Sequence, residues 1–376
     1  MGISLCRAMH PTVWRNPPQK TRTPYAKNMQ KLPKLSYVLL SHNREKYIRT
    51  AIESAFAQDY KGELEYIFSD DCSTDRTFEI IKECVSAYKG GRRVVVTQPP
   101  TNQHLAGNTN HAIQFVESDW IVRADDDDLS SVDRCTIIGR AIAEHPEARF
   151  VATGVKNFTD VEETAILEES SSPCGLHARV RELDIRRQGF EHPAFSSKEY
   201  SFKAWHMDSF RTFGDLDKQA YYCDDYTCFF RCCILGSGLY IDNAPIVFVR
   251  NGSGNMCRGG DDGGRGYHAI MRLERFHDKY YNTTYAPMLA TLRQLEAYVD
   301  RHFSEIEKKT SAPFMKEFAL NMEIRDHMRS YWRGGTLNRL KICREMRYST
   351  AFSLLYSLPM PIYARLLAFI RKIKNG

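Results

Sequence analysis

The sequence predicts an α/β fold, with a mostly parallel sheet covered by helices on both faces and a helical C-terminal extension. Three observations carry that expectation. Short apolar runs at residues 35–40, 64–68, 94–96 and 120–122 have the length of buried strands. Apolar stripes at helical spacing follow several of them. Strand and helix alternate in order, a rhythm that right-handed crossovers turn into a parallel sheet.

Taken along the chain, residues 1–33 are rich in Pro, Lys, Arg and Asn, lack periodicity and read as a tail. The strand at 35–40 leads into a helix whose inner face is Tyr47, Ile48, Ala51, Ile52, Ala55 and Phe56. The strand at 64–68 leads into one built on Phe78, Ile81, Val85 and Tyr88, and the strand at 120–122 precedes a stripe of Ile137, Ile138, Ala141 and Ile142. Residues 34–156 thus form a first, regular half of a domain that runs to 266. In the second half, 157–266, residues 157–191 are less regular, and a mixed region follows until a glycine cluster between Gly252 and Gly266, a density expected of a mobile loop. Residues 267–376 read as helical, with candidates at 268–281, 288–303 and 314–332. In an open parallel sheet, ligands sit beyond the carboxyl ends of the strands, which is where chemistry is expected.

Acidic residues cluster at those ends. Asp70 and Asp71 follow the run at 64–68, where a carboxylate can accept a hydrogen bond from a ligand N–H; capping of the next helix is the plainer role. Residues 125–128 are four successive aspartates after the run at 120–122. Such a series repels itself unless a cation or water is shared, and hard oxygen donors suit Mg²⁺ or Mn²⁺ completed by substrate phosphates; a solvated acidic loop is the alternative. Asp224 and Asp225 precede an apolar run through Phe229, Phe230, Ile234 and Leu235, and stand either as helix-capping carboxylates or as a general base.

Composition narrows the class. With 376 residues, 43% apolar and 26% charged, the chain has material for a sizeable core and is neither disordered nor collagen-like. No apolar run is long enough to span a bilayer. The N-terminus lacks the apolar core of a signal peptide, so a cytoplasmic location is expected. The 11 cysteines have no paired C-x-x-C spacing and are expected as reduced thiols, with Cys228, Cys232 and Cys233 as small buried residues rather than a zinc site. Residues 325–376 hold eleven Lys and Arg against two Asp and Glu, an excess that accounts for more than the whole net charge of +6. That excess points to an anionic membrane surface rather than to nucleic acid, because no nucleic-acid-binding motif accompanies it.

The order of these motifs resembles the family 2 glycosyltransferases over roughly residues 35–250. Ser41-His42-Asn43-Arg44 resembles the family's Thr-Tyr-Asn turn, and Asp70-Asp71-Cys72-Ser73-Thr74-Asp75 its Asp-Asp-Gly-Ser-x-Asp element. The segment from Asn102 to Asn110 is similar to the Asn-x-Gly-x-x-x-Ala-x-Asn element, and Asp125-x-Asp127-Asp128 to the Asp-x-Asp-Asp signature. Gly214, Asp224-Asp225, Arg231 and Gly236 resemble its closing block. The resemblance implies the GT-A fold, a Rossmann-like architecture, and an inverting, metal-dependent sugar transferase in cell-surface polysaccharide assembly. The implied donor is a UDP-sugar and the acceptor a glycan or lipid-linked glycan. It implies a nucleotide-sugar pocket of Ser41, His42, Asn43, Asp71, Asn110, Asp125 and Asp126, a metal held by Asp127 with Asp125, and a catalytic base in Asp225 with Asp224 beside it. Departures are Cys72 and His104 where glycine is frequent, Thr109 where a basic residue is frequent, and Gly252 where His often follows the last strand.

Two features stand apart. Trp205 and His192 fall in the acceptor half, with core packing the first expectation for Trp205. After Pro359 and Pro361, apolar residues Tyr363, Leu366, Leu367, Ile370 and Ile373 keep helical spacing beside Arg365, Arg371, Lys372 and Lys374. This end fits equally a helix lying peripherally on the cytoplasmic face of the inner membrane and one docked on the core. A catalytically silent nucleotide-sugar-binding protein of the same fold is the alternative function, and a sugar nucleotidyltransferase the more distant one.

Overall fold

A computed structural model describes residues 31–175, 178–183, 200–218, 224–251, 286–312 and 314–315. The strands and helices expected in residues 34–156 are present, with others between and after them. Strand β1 (Leu35–Ser41) is followed by α1 (Ile48–Phe56), β2 (Leu64–Asp70), α2 (Thr77–Ala87), β3 (Val94–Thr97), α3 (His104–Ile113) and β4 (Trp120–Asp125). Then come the short β5 (Leu129–Ser130), α4 (Arg134–Glu144), β6 (Ala148–Phe158) and α5 (Glu163–Ser170). The second half adds β7 (Arg179–Leu183), β8 (Tyr200–His206), α6 (Asp208–Phe213), α7 (Asp224–Leu235) and β9 (Ser237–Arg250), and α8 (Ala286–His302) follows.

One sheet of nine strands results, in the order β3-β2-β1-β4-β8-β6-β9-β5, with β7 paired to β9. It is parallel across β3, β2, β1 and β4, as the alternating pattern requires. Beyond β4 it becomes mixed, because β8 enters antiparallel between β4 and β6. Residues 157–191, expected to be irregular, contain helix α5 and strand β7, whose weak apolar patterning reflects their edge positions.

Both faces of the central strands are covered, which is why they read as continuous apolar runs rather than alternating ones. Leu35, Tyr37 and Leu39 face α1, α2 and α4, through Ile48, Ile52, Ile81, Ile138 and Ala141. Val38 and Leu40, one residue out of phase, face α3, α7 and α8, through Ala106, Ile113, Phe229, Leu292 and Leu295. The second layer includes α8, so residues beyond the last strand complete the core of the first half. Each fully buried side chain such as Ile52 contributes roughly 1.5–3 kcal/mol.

The closing block resembling the family's is structural in part. Gly214 ends α6 at φ 74°, a left-handed conformation that suits glycine. Its carbonyl accepts from Arg231 Nη1 at 2.8 Å, and Asp215 O accepts from Nη2 at 3.2 Å, so the buried Arg231 ties α7 to the loop behind α6. A Cβ at Gly236 would stand 2.7 Å from the Glu147 carbonyl. The tail at residues 1–30, His192, the glycine cluster at 252–266, the candidate helix at 268–281 and the basic end of the chain lie outside the described residues. Among the described residues no helix is long and apolar enough to cross a membrane.

Candidate active site

Three strands end at the same level and deliver the acidic residues together. Ser41 pairs with Asp70 across β1 and β2, and Leu40 pairs with Asp125 across β1 and β4. The turns after these strands are cross-linked. Asn43 N donates to Ser73 Oγ at 2.8 Å, Thr74 N donates to Asn43 Oδ1 at 2.8 Å, and His42 N donates to Asp126 Oδ2 at 2.8 Å.

Asp70 and Asp71 differ in role. Asp70 is fully buried and saturated: Ser41 Oγ, Ser73 Oγ, Ser73 N and Gln98 Nε2 all donate to it within 3.1 Å. It braces the turn. Asp71 accepts the Gln103 N–H at 2.7 Å through Oδ1, at the amino end of α3, where the helix dipole favours a carboxylate. Burial nevertheless raises its pKa above the ordinary value, the Gln103 N–H and the nearby His42 and His104 opposing that rise. His42 lies against the same residue, its Nδ1 2.9 Å from the Asp71 carbonyl oxygen. Asn110 is engaged elsewhere: its amide donates to Leu216 O at 2.9 Å and accepts from Leu216 N at 2.8 Å, tying α3 to the segment after α6.

The four aspartates alternate in exposure. Asp126 and Asp128 are buried, while Asp125 and Asp127 are partly open to solvent. Asp125 is paired with Arg123, two residues earlier on β4. Asp126 and Asp127 each lie 3.6 Å from Arg44 Nε. Burial and the Asp127 charge push the Asp126 carboxyl well above its usual range, and Arg44 works against that shift. Asp128 Oδ1 accepts the Arg250 N–H at 3.0 Å.

Asp125 and Asp127 offer hard oxygen donors, and no His or Cys joins them in a ligand set among the described residues. That donor chemistry fits a divalent ion of the Mg²⁺ or Mn²⁺ kind, whose remaining ligands would be phosphate and water. The group of three ligand atoms that does converge, His145, Glu147 and Glu182, lies at the amino ends of the strands, away from this site.

Arg250 entered the sequence reading only through the missing His at position 252, and its contacts come from the fold. At the end of β9 and 1% exposed, it donates from Nε to Asp127 O at 3.0 Å, from Nη1 to Asp160 at 2.8 Å and from Nη2 to Glu163 at 2.7 Å. Its guanidinium also stacks between Tyr47 and Phe158, 4.4 and 4.6 Å from the ring centroids. Lys46 and Arg250 hold the Asp160 carboxyl at about 2. The local signal was only an arginine closing an apolar run; its partners are 87 or more residues away in the chain.

Asp224 and Asp225 open α7, so both lie at a helix amino end; the side chains of residues 224–226 lie outside the described residues. Trp205 is 1% exposed on β8, opposite Ile121 and Phe150, and belongs to the core. Cys228, Cys232 and Cys233 are buried thiols on α7, as expected.

Acidic residues at the carboxyl ends of parallel strands, with Asp-x-Asp-Asp after β4, agree with the sequence comparisons. Residues 36–209 match the family described as Glycosyl transferase family 2. The matched segment, a little under half of the chain, is similar to glycosyltransferase family 2. EpsE of Bacillus subtilis is 34% identical over 128 residues, 34% of this chain and 45% of that protein. The Staphylococcus aureus poly(ribitol-phosphate) beta-N-acetylglucosaminyltransferase TarS is 32% identical over 114 residues, 30% of this chain and 19% of that protein. The matched stretch therefore spans less than half of either relative. An uncharacterized glycosyltransferase of Haemophilus influenzae is 28% identical over 308 residues, 77% of this chain and 95% of that protein. The crystal structure of S. aureus TarS 1–349 with UDP superposes with a TM-score of 0.49 at 15% identity, over 84% of this chain and 89% of that one.

Proposed function

We propose that this chain transfers a sugar from a UDP-sugar to a hydroxyl of a glycan or lipid-linked glycan, with inversion and with the help of a divalent ion. The observation that carries the reading is the convergence of Asp71, Asp125 and Asp127 at one end of the parallel strands. Asp71, fixed by the α3 amino end through one oxygen, is suited to accept the imide N–H of uracil, with Ser41, His42 and Asn43 forming the turn beside it. Asp125 and Asp127 would hold the ion, which when bound supplies positive charge where the diphosphate leaves. Asp225, at the amino end of α7, would take the proton from the acceptor hydroxyl as that oxygen attacks from the face opposite the nucleotide. TarS, an N-acetylglucosaminyltransferase by name, supports a sugar donor of this class.

Thermal stabilisation by UDP-, dTDP-, GDP- and CMP-sugars, with and without Mn²⁺, tests the donor directly. A manganese-dependent rise with a uridine donor is the expected result, and Asp127→Ala removes it. Asp225→Asn keeps the stabilisation but lowers transfer about 10²- to 10⁴-fold. Absence of a shift with every donor would favour a silent protein of the same fold, and full activity in Asp225→Asn would remove that residue from the base role.

A further inference from the structure

Helices α3 and α7 pack in one core layer, and each presents its amino end to a different part of the candidate site. The amino end of α3 holds Asp71 through the Gln103 N–H, and α7 opens with Asp224 and Asp225. About 9 Å along each axis from those ends, both helices grip the same loop. Asn110 of α3 donates from Nδ2 to Leu216 O at 2.9 Å, and its Oδ1 accepts the Leu216 N–H at 2.8 Å. Arg231 of α7 donates from Nη1 to Gly214 O at 2.8 Å and from Nη2 to Asp215 O at 3.2 Å. Three successive carbonyls between α6 and α7 are thus each bound by a side chain of one of the two helices. Asn110, Leu216 and Arg231 are at most 3% exposed, so these bonds are shielded from water.

From this geometry we infer that Asn110 is a positioning residue for Asp225. By holding residues 214–216 together with Arg231, it fixes α7 relative to α3, and so fixes the base relative to the donor. The resemblance implies a donor contact for Asn110 instead, yet both the carbonyl and the amino group of its side chain are engaged by Leu216. The consequence for rate follows from how steeply reaction depends on placement, since a shift of about 1 Å can cost on the order of 10²-fold. The inference rests on the reading of Asp225 as the base.

Two variants of the full chain separate positioning from donor contact. Asn110→Ala removes both bonds to Leu216, and Arg231→Lys keeps the buried charge but loses the fork that spans Gly214 O and Asp215 O. Each should lower kcat for release of UDP from UDP-GlcNAc or UDP-glucose, with Mn²⁺ present and water as acceptor, by about 10- to 100-fold. The Kd for UDP with Mn²⁺, measured by titration calorimetry, should stay within about twofold of the wild type. In an Asp225→Asn background the same changes should cost less than about threefold, because the group they position is gone. Circular dichroism establishes that the variants are folded. A Kd for UDP weakened about tenfold in Asn110→Ala would put that residue in the donor pocket and overturn the inference. So would an unchanged kcat in both variants, or a loss equally large in the Asp225→Asn background. Full activity of Asp225→Asn alone would overturn the base reading, and this inference with it.

Discussion

Asp126 is buried beside Asp127, and that position raises its carboxyl pKa even though Arg44 and the His42 N–H favour the charged form. A carboxyl whose pKa is higher folded than unfolded binds its proton more tightly in the folded state. It therefore favours folding while protonated, and the contribution is lost as pH rises from the unfolded value through the folded one. Asp126→Asn keeps an acceptor for His42 N–H and removes the buried charge. In the ligand-free protein it should raise the melting temperature by a few degrees at neutral pH, with the gain shrinking toward about pH 4. A gain that does not vary with pH would show that the charge is not the cause.

At the scale of elements, the strand-to-helix turns around Asp71 carry backbone strain. Asn43, Cys72 and His104 have φ of 53°, 55° and 58°, in the left-handed region that non-glycine residues seldom occupy. Asparagine tolerates this conformation, but cysteine and histidine cost roughly 1–2 kcal/mol there. Cys72 has a use for its side chain, since Sγ donates to Pro99 O at 2.9 Å. His104 is exposed at the first position of α3, beside the Asp71 carboxylate. His104→Gly should gain about 0.5–1 kcal/mol in urea unfolding once glycine's greater unfolded-state entropy is subtracted. A loss of stability would mean that the imidazole contributes more than the backbone strain removes.

For the whole molecule, Arg250 joins parts that the chain keeps far apart. One side chain links the end of β9 to the turn after β4, to Asp160 and Glu163 before and within α5, and to Tyr47 before α1. Replacing it by methionine leaves the buried Asp128 with its backbone partner but removes the cation between Asp160 and Glu163. Arg250→Met should lower stability by about 3 kcal/mol in urea unfolding. Under the metal-dependent function proposed above, it should also weaken donor binding with Mn²⁺, because Asp127 O loses the Arg250 Nε–H. A cost below about 0.5 kcal/mol, typical of an exposed substitution, would show that the link is not cooperative.

What the sequence determined by itself was everything set by local pattern. Runs buried on both faces made β1, β2 and β4 readable, helical stripes made α1, α2 and α4 readable, and the position of aspartates after strands placed Asp71 and residues 125–128 at one end of the sheet. Periodicity is a property of neighbouring residues, so it survives without knowledge of the fold. Tertiary structure decided the rest, because partners distant in the chain leave no periodic trace. It inserted β8 antiparallel between β4 and β6, turned Asn110 toward Leu216 and sorted the four aspartates into alternating inward and outward pairs. It also brought Arg44 from β1's turn and Arg250 from β9's end to the same acidic loop, where charge balance can be judged only once all three segments have met.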